Sequence, residues 1–339
     1  MNKETRQKIS ICIPTFNRSD LLKKALLSIA NQTVKPWEVI VVDNFSTDNT
    51  QAIASEFKDV KYFRNDTNLG MIDNWNRCID LSTGDFITLL HSDDLISPNW
   101  YKCWQDIIEK NNREDIGAYF SGVFTIDSQE NAKIVYQVFS KETVLKPAEA
   151  FKKMWQQHMC SLPTSGAIIY RRTIFDKLGK FSSTYSTEAD IAFSLKLLND
   201  FYVYYTPKLL FAYRIHSFQS FDTEKKEKSY EKKLAVFTNH LLIFKKFYDE
   251  KLRKEYKTPL FYKYLCIMYI TIAMAHFICL RPNLAKRYYI TTKKIFPDTL
   301  TGLNDYLLLL SSSLHYINKF ISGRIKALPI KNIAKKWIA

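Results

Sequence analysis

Asp93 and Asp94 stand side by side after the apolar run Phe86-Ile87-Thr88-Leu89-Leu90 and His91-Ser92, just before Leu95-Ile96-Ser97-Pro98. Adjacent carboxylates repel unless a cation neutralises them, and paired oxygen donors suit Mg²⁺ or Mn²⁺ carrying a substrate phosphate. A solvated Asp-Asp turn is the plain alternative. The company the pair keeps decides between them. Another polar cluster, Asp43-Asn44-Phe45-Ser46-Thr47-Asp48, closes a second apolar run, Val39-Ile40-Val41-Val42. In open α/β sheets, ligands bind beyond the carboxyl ends of the strands, where both clusters would lie.

The elements that would position these residues are legible nearby. Ile9-Ser10-Ile11-Cys12-Ile13-Pro14 reads as a buried strand, and Thr15-Phe16-Asn17-Arg18 follows it. Leu21, Leu22, Ala25, Leu26 and Ile29 then recur at helical spacing, with Ser19 or Asp20 as N-cap. Glu38 to Val42 predicts a second strand, Thr50 to Phe57 a helix, Val60 to Arg64 a short strand and Phe86 to Leu90 a fourth, fully buried one. Strand–helix–strand alternation is the pattern of a doubly wound, mostly parallel sheet flanked by helices. The polar clusters after the first, second and fourth strands should converge on one edge.

In order and spacing, Ile13-Pro14-Thr15-Phe16-Asn17-Arg18, Val41-Val42-Asp43-Asn44-Phe45-Ser46-Thr47-Asp48, Asn68-Leu69-Gly70, Asn74-Trp75-Asn76 and Leu90-His91-Ser92-Asp93-Asp94 resemble family 2 glycosyltransferases of the GT-A fold, of the bacterial surface-polysaccharide type. The match runs over about the first two-thirds of the chain and fades after His216. The resemblance implies a nucleotide-sugar donor, with Pro14, Thr15, Asn17, Arg18, Asp43, Asn68, Asn76 and Asp93 at the nucleotide, Asp43 facing uracil. It implies a divalent metal, Mn²⁺ or Mg²⁺, at Asp93, Asp94 and His216, and a diphosphate contact from Arg214 and His216. Where the family pattern has its first Asp, this chain has His91, which can hydrogen-bond a ribose hydroxyl but brings no charge when neutral.

Ser165 to Arg172 reads as a strand and Phe175 to Phe181 as a helix end and turn, resembling the family's acceptor side. Thr187-Glu188-Ala189-Asp190 opens an amphipathic helix through Leu197. In the family a Glu-Asp pair begins this helix and its Asp deprotonates the acceptor hydroxyl. Matching Lys196 to the family's basic residue puts Asp190 in that place, with Glu188 as the substitute. One base, one metal and no protein nucleophile imply a single displacement with inversion.

Charge divides the 339 residues. Residues 1–224 hold 26 Lys and Arg against 27 Asp and Glu, a net −1, whereas residues 225–339 carry +16 of the total +15. This predicts a catalytic domain over 1–222 and a basic helical domain over 223–339, serving membrane-surface or acceptor-side attachment. Lys-rich stretches interleaved with apolar residues favour an anionic membrane over nucleic acid, for which no binding module is legible. The longest apolar stretch, Leu265 to Leu280, is short for a bilayer span and contains His276. Leu303, Leu307, Leu310, Leu314, Ile317 and Ile321 share a helical face, and Lys319, Arg324, Lys326, Lys331, Lys335, Lys336 and Trp337 follow, as suits peripheral attachment. A helix covering the core with a solvated tail is the alternative. Six scattered cysteines without Cys-x-x-Cys spacing, and an N-terminus running straight into the first strand, predict reduced thiols, no signal peptide and a cytoplasmic enzyme peripheral to the inner face of the plasma membrane. Its acceptor would be a saccharide or lipid-linked oligosaccharide. A non-catalytic sugar-nucleotide-binding or scaffold protein is the reading from another class, with His91 and Ala189 as marks of lost activity.

Overall fold

The structure, a computed structural model, describes residues 7–147, 149–150, 153, 162–163, 165–184, 189–215, 290 and 334–338. The chain divides into two compact units, Met1–Ser217 with Leu328–Ala339, and Phe218–Ala327; apart from Ile290 the described residues belong to the first. The Leu265 to Leu280 stretch, the helical face from Leu303 to Ile321, and Glu188 and His216 lie outside the described residues. Among the described residues no helix is long and apolar enough to cross a membrane.

The first half alternates β1 (Ile9–Thr15), α1 (Ser19–Ala30), β2 (Glu38–Asp43), α2 (Thr50–Ser55), β3 (Val60–Arg64), α3 (Met71–Leu81) and β4 (Phe86–Leu89). Then come β5 (Leu95–Ile96), α4 (Trp100–Lys110), β6 (Ile116–Ile126), β7 (Ala132–Tyr136), β8 (Thr143–Leu145) and a 3₁₀ turn at Ser165–Ala167. β9 (Ile168–Arg171), α5 (Thr173–Leu178), α6 (Ala189–Asp200), β10 (Tyr202–Arg214) and α7 (Lys335–Ile338) complete the described elements. All strands join one sheet in the order β3-β2-β1-β4-β9-β6-β10-β5, with β7 on β6 and β8 on β10.

β3, β2, β1 and β4 are parallel neighbours, as the alternation of strand and helix requires. The other half is mixed: β9 runs antiparallel to β4 and β6, while β10 runs parallel to β6 and antiparallel to β5 and β8. Every residue of β1, β2 and β4 is buried. α1 lays Leu22, Ala25, Leu26 and Ile29 on the sheet, and α4 contributes Trp100, Tyr101, Trp104, Ile107 and Ile108 to the same core. Fully burying such side chains stabilises by about 1.5–3 kcal/mol each, which fixes the helices against the sheet and so the register of the loops they flank. Cys12 and Cys78 are buried free thiols, and Cys103 is free and partly buried; burial pushes the Cys78 thiol well above its ordinary value.

Sequence and structure differ at several boundaries: β4 ends at Leu89, and Ser165–Ala167 form a 3₁₀ turn before β9. α1 begins at Ser19, but no side chain at its N-cap position caps it; Asp48 reaches across from the loop after β2, and its Oδ2 accepts the Ser19 N–H at 2.9 Å. α2 stops at Ser55, short of Phe57. Tyr213 and Arg214 belong to β10, because β6 pairs with the strand through Arg214.

Candidate active site

The loops after β1, β2 and β4 meet, as their polar endings predict. Thr15 and Asp43 are paired at the ends of β1 and β2. Asn17 takes the left-handed conformation (φ 50°), which Asn tolerates better than most residues. Its backbone N–H donates to Ser46 Oγ at 2.9 Å and its Oδ1 accepts the Thr47 N–H at 2.8 Å, so the first two loops are sewn together. Arg18 then spans to the third loop, with Nη1 2.6 Å from Asp93 Oδ2.

Asp43 is 1% exposed. Its Oδ1 accepts the Ser46 N–H at 2.9 Å, and its Oδ2 accepts the Tyr62 hydroxyl at 2.5 Å. Burial and the Asp43 carboxylate raise the Tyr62 phenol above its usual range, so it stays a donor. Each carboxylate oxygen keeps a lone pair, which a ring N–H of a nucleobase could use. Asn68 holds the neighbouring loop: its Oδ1 accepts from Asn44 Nδ2 at 2.7 Å and from the Gly70 N–H at 2.9 Å. Pro14 and Thr15 are buried beside it, and Thr15 Oγ1 has no hydrogen-bond partner. Asn76 clamps the backbone of Phe181 through two hydrogen bonds of 2.9 and 3.1 Å. It thus ties α3 to the turn after α5.

His91, Asp93 and Asp94 bring a nitrogen and two carboxylate oxygens within 4.8 Å of one another. Asp94 is fully buried. Its Oδ1 accepts the Arg214 N–H at 2.9 Å, whereas Oδ2 has no hydrogen-bond partner and lies 3.8 Å from His91 Nδ1. Burial, followed by the charge of Asp93, pushes the Asp94 carboxyl well above the usual carboxylate range. Burial also pulls the His91 imidazole down, against the pull of Asp93. Trp75 stacks on His91, ring centroids 5.2 Å apart and planes 23° apart. An unpartnered buried oxygen costs about 1–3 kcal/mol unless something takes it. The donors therefore fit a divalent cation, to which His91, Asp93 and Asp94 would be the described ligands.

Arg214, which the resemblance implies at the diphosphate, packs against the Asp93–Asp94 loop. Its side chain is 2% exposed. Nε donates to the Asp93 carbonyl at 2.8 Å, and Nη1 donates to the Asp127 carbonyl and to Glu130 Oε1, both at 2.9 Å. Nη2 is buried without a hydrogen-bond partner, while Nε and Nη1 brace the Asp93–Asp94 loop. Asp190 lies in the first turn of α6 and is half-buried. Tyr213, 41% exposed, lies near the end of β10; its phenol is raised by burial first, then by Asp94, Asp93 and Asp190 in that order. That neutral hydroxyl sits within electrostatic reach of all three carboxylates, a placement no motif announces, although its neighbour Arg214 belongs to one.

The family model described as "Glycosyl transferase family 2" matches residues 10–179. A GalNAc(5)-diNAcBac-PP-undecaprenol beta-1,3-glucosyltransferase of Campylobacter jejuni is 27% identical over 308 residues, covering 89% of this chain and 92% of the relative. A PGL/p-HBAD biosynthesis glycosyltransferase of Mycobacterium bovis is 29% identical over 199 residues, 56% of this chain and 70% of that protein. Among solved structures, S. aureus TarS 1-349 in complex with UDP-GlcNAc superposes with a TM-score of 0.55 at 18% identity, over 98% of this chain and 88% of that one. At that identity the likeness is one of fold.

Proposed function

The chain belongs to glycosyltransferase family 2, and from that premise we propose an inverting, metal-dependent enzyme that moves a sugar from a UDP-sugar to a hydroxyl of a lipid-linked saccharide in bacterial surface polysaccharide synthesis. One observation supports this reading: Asp43 at the end of β2 and the Asp93–Asp94 pair after β4 lie beyond the carboxyl ends of parallel strands of one sheet, and Arg18, after β1, spans to Asp93. The C. jejuni relative, named for an undecaprenol-linked substrate, supports the acceptor class, and the fold shared with a UDP-GlcNAc complex supports the donor class.

In this reading Asp43 accepts from the base, and Arg18, 48% exposed on its side chain, offers its charge to the phosphates. Asp93 and Asp94, with His216 as a further donor, hold the divalent cation, which when bound stabilises the charge that develops on the leaving diphosphate. Asp190 receives the acceptor proton while the new oxygen–carbon bond forms and the bond to the diphosphate breaks on the opposite face. The basic residues of 223–339 hold the enzyme at an anionic membrane, close to a lipid-linked acceptor.

Asp190→Asn keeps the shape of the side chain but cannot accept the proton. Donor binding by calorimetry should persist, while transfer to a membrane-extracted acceptor falls by roughly 10²–10⁴-fold. Near wild-type transfer in Asp190→Asn together with its loss in Glu188→Gln would move the base to Glu188. Metal-dependent UDP binding with no transfer to any acceptor would favour the sugar-nucleotide-binding reading.

A further inference from the structure

The residue that departs from the family pattern, His91, lies within 4.8 Å of Asp93 and Asp94, donor atom to donor atom. Its Nδ1 faces Asp94 Oδ2 across 3.8 Å. That gap is too wide for a hydrogen bond between them. Two donors each about 2.1 Å from a shared ion lie about 3.0 Å apart at a right angle and about 4.2 Å apart when opposite, so 3.8 Å is an ion-sized gap. The stack on Trp75 restrains the imidazole plane. Asp94 Oδ2, wholly buried, has no hydrogen-bond partner on the other side of the gap. An aspartate in this place would give the ion a third carboxylate and suit Mg²⁺; an imidazole gives it a nitrogen.

We propose that His91 is a direct nitrogen ligand of the divalent cation, making with Asp93 and Asp94 a mixed nitrogen–oxygen site that favours Mn²⁺, Co²⁺ and Zn²⁺ over Mg²⁺. The ribose contact that a hydrogen-bonding His91 could make is then given up, because the ring is turned to the ion. This proposal rests on the metal-dependent reading above and assigns the ligand that sets metal choice. Arg18, paired with Asp93, neutralises that carboxylate before the cation arrives.

The test uses the full chain with UDP and Mn²⁺, read by pulsed electron paramagnetic resonance for ¹⁴N coupling to the metal. Wild type should show an imidazole nitrogen; His91→Asp and His91→Asn should lose it while still binding Mn²⁺ with UDP. His91→Asp should also lose at least about tenfold of the preference for Co²⁺ over Mg²⁺ in calorimetric titration. Circular dichroism of each variant checks that it folds, and His91→Asn replaces His91→Asp if the added charge prevents it. A nitrogen signal that survives both His91 variants and vanishes in His216→Asn would overturn the assignment, as would bound Mn²⁺ with no nitrogen coupling in wild type. No divalent metal binding by wild type, with or without UDP, would overturn the metal-dependent reading itself.

Discussion

A single arginine shows why residue type alone does not fix a role. Arg214 ends β10, where its backbone N–H caps Asp94 and its guanidinium bridges the Asp93 carbonyl, the Asp127 carbonyl and Glu130. Lys24 also reaches Glu130, at 2.8 Å, so part of the charge compensation survives without Arg214. Arg214→Met should therefore destabilise by about 3 kcal/mol, the low end for breaking a buried pair. Metal-dependent UDP binding should fall with it, because the loop carrying Asp93 and Asp94 loses its brace. Denaturant titration reads the first effect and calorimetry the second. A loss below about 1 kcal/mol, the size for a surface ion pair, would mean the guanidinium is no strut. The acids were legible in the sequence because adjacent carboxylates after an apolar run have few structural uses. The burial of Arg214 and the reach of Tyr213 were not, since both depend on β5 and β6 pairing with β10 over 100 residues away in the chain for β5.

At the scale of elements, the junction of β1, β2, β3 and β4 turns on Glu38. Its side chain is 2% exposed. Oε1 accepts Ser10 Oγ at 2.6 Å and the Thr83 N–H at 2.6 Å, and Oε2 pairs with Lys61 Nζ at 2.8 Å. Burial alone would raise this carboxyl, but the hydrogen bonds from Lys61, Ser10 and Thr83 outweigh it and pull the value down to about 2. A depressed folded value means that the charged form is favoured by folding. Its stabilisation is present above the unfolded pKa of about 4.5 and is lost as pH falls through about 2. At neutral pH it amounts to on the order of 3 kcal/mol. Glu38→Gln should be less stable than wild type at pH 7, and the difference should shrink between pH 5 and pH 2; a difference independent of pH would assign the effect to packing. The parallel half built on this junction was readable because β1, β2 and β4 are mostly apolar and are followed by polar clusters. The mixed half was harder. β6 is buried at every residue yet carries Gly117, Ser121, Gly122 and Thr125, so it shows neither alternation nor an apolar run, and two-residue β5 has no pattern at all. α4 could have been found from Trp100, Trp104, Ile107 and Ile108 at helical spacing.

At the scale of the whole molecule, the last residues bear on the catalytic core. α7 places Lys335 and Lys336 outward and Trp337 inward, 4% exposed, its ring centroid 5.2 Å from that of Phe124. Leu95, Ile126, Ala212 and Ala334 complete this cluster, and Asn31 Nδ2 donates to the Trp337 carbonyl at 3.2 Å. From sequence, the Lys-rich tail with its tryptophan suits insertion at a membrane surface; here the indole is already buried in protein, so any attachment through α7 would rest on its lysines. Leu95 follows Asp94 directly and Ala212 precedes Tyr213 by one residue, so the cluster lies under the acid loop. Trp337→Ala should cost about 3–5 kcal/mol in lipid-free buffer, the loss for emptying a buried aromatic site, and should weaken metal-dependent UDP binding with it. Co-sedimentation with anionic vesicles should be less affected at temperatures where the variant remains folded, since the proposed attraction comes from Lys319, Arg324, Lys326, Lys331, Lys335 and Lys336, and it should decline with salt over a screening length of about 8–10 Å. The opposite pair of results, unchanged unfolding in buffer and lost vesicle binding, would return Trp337 to the lipid.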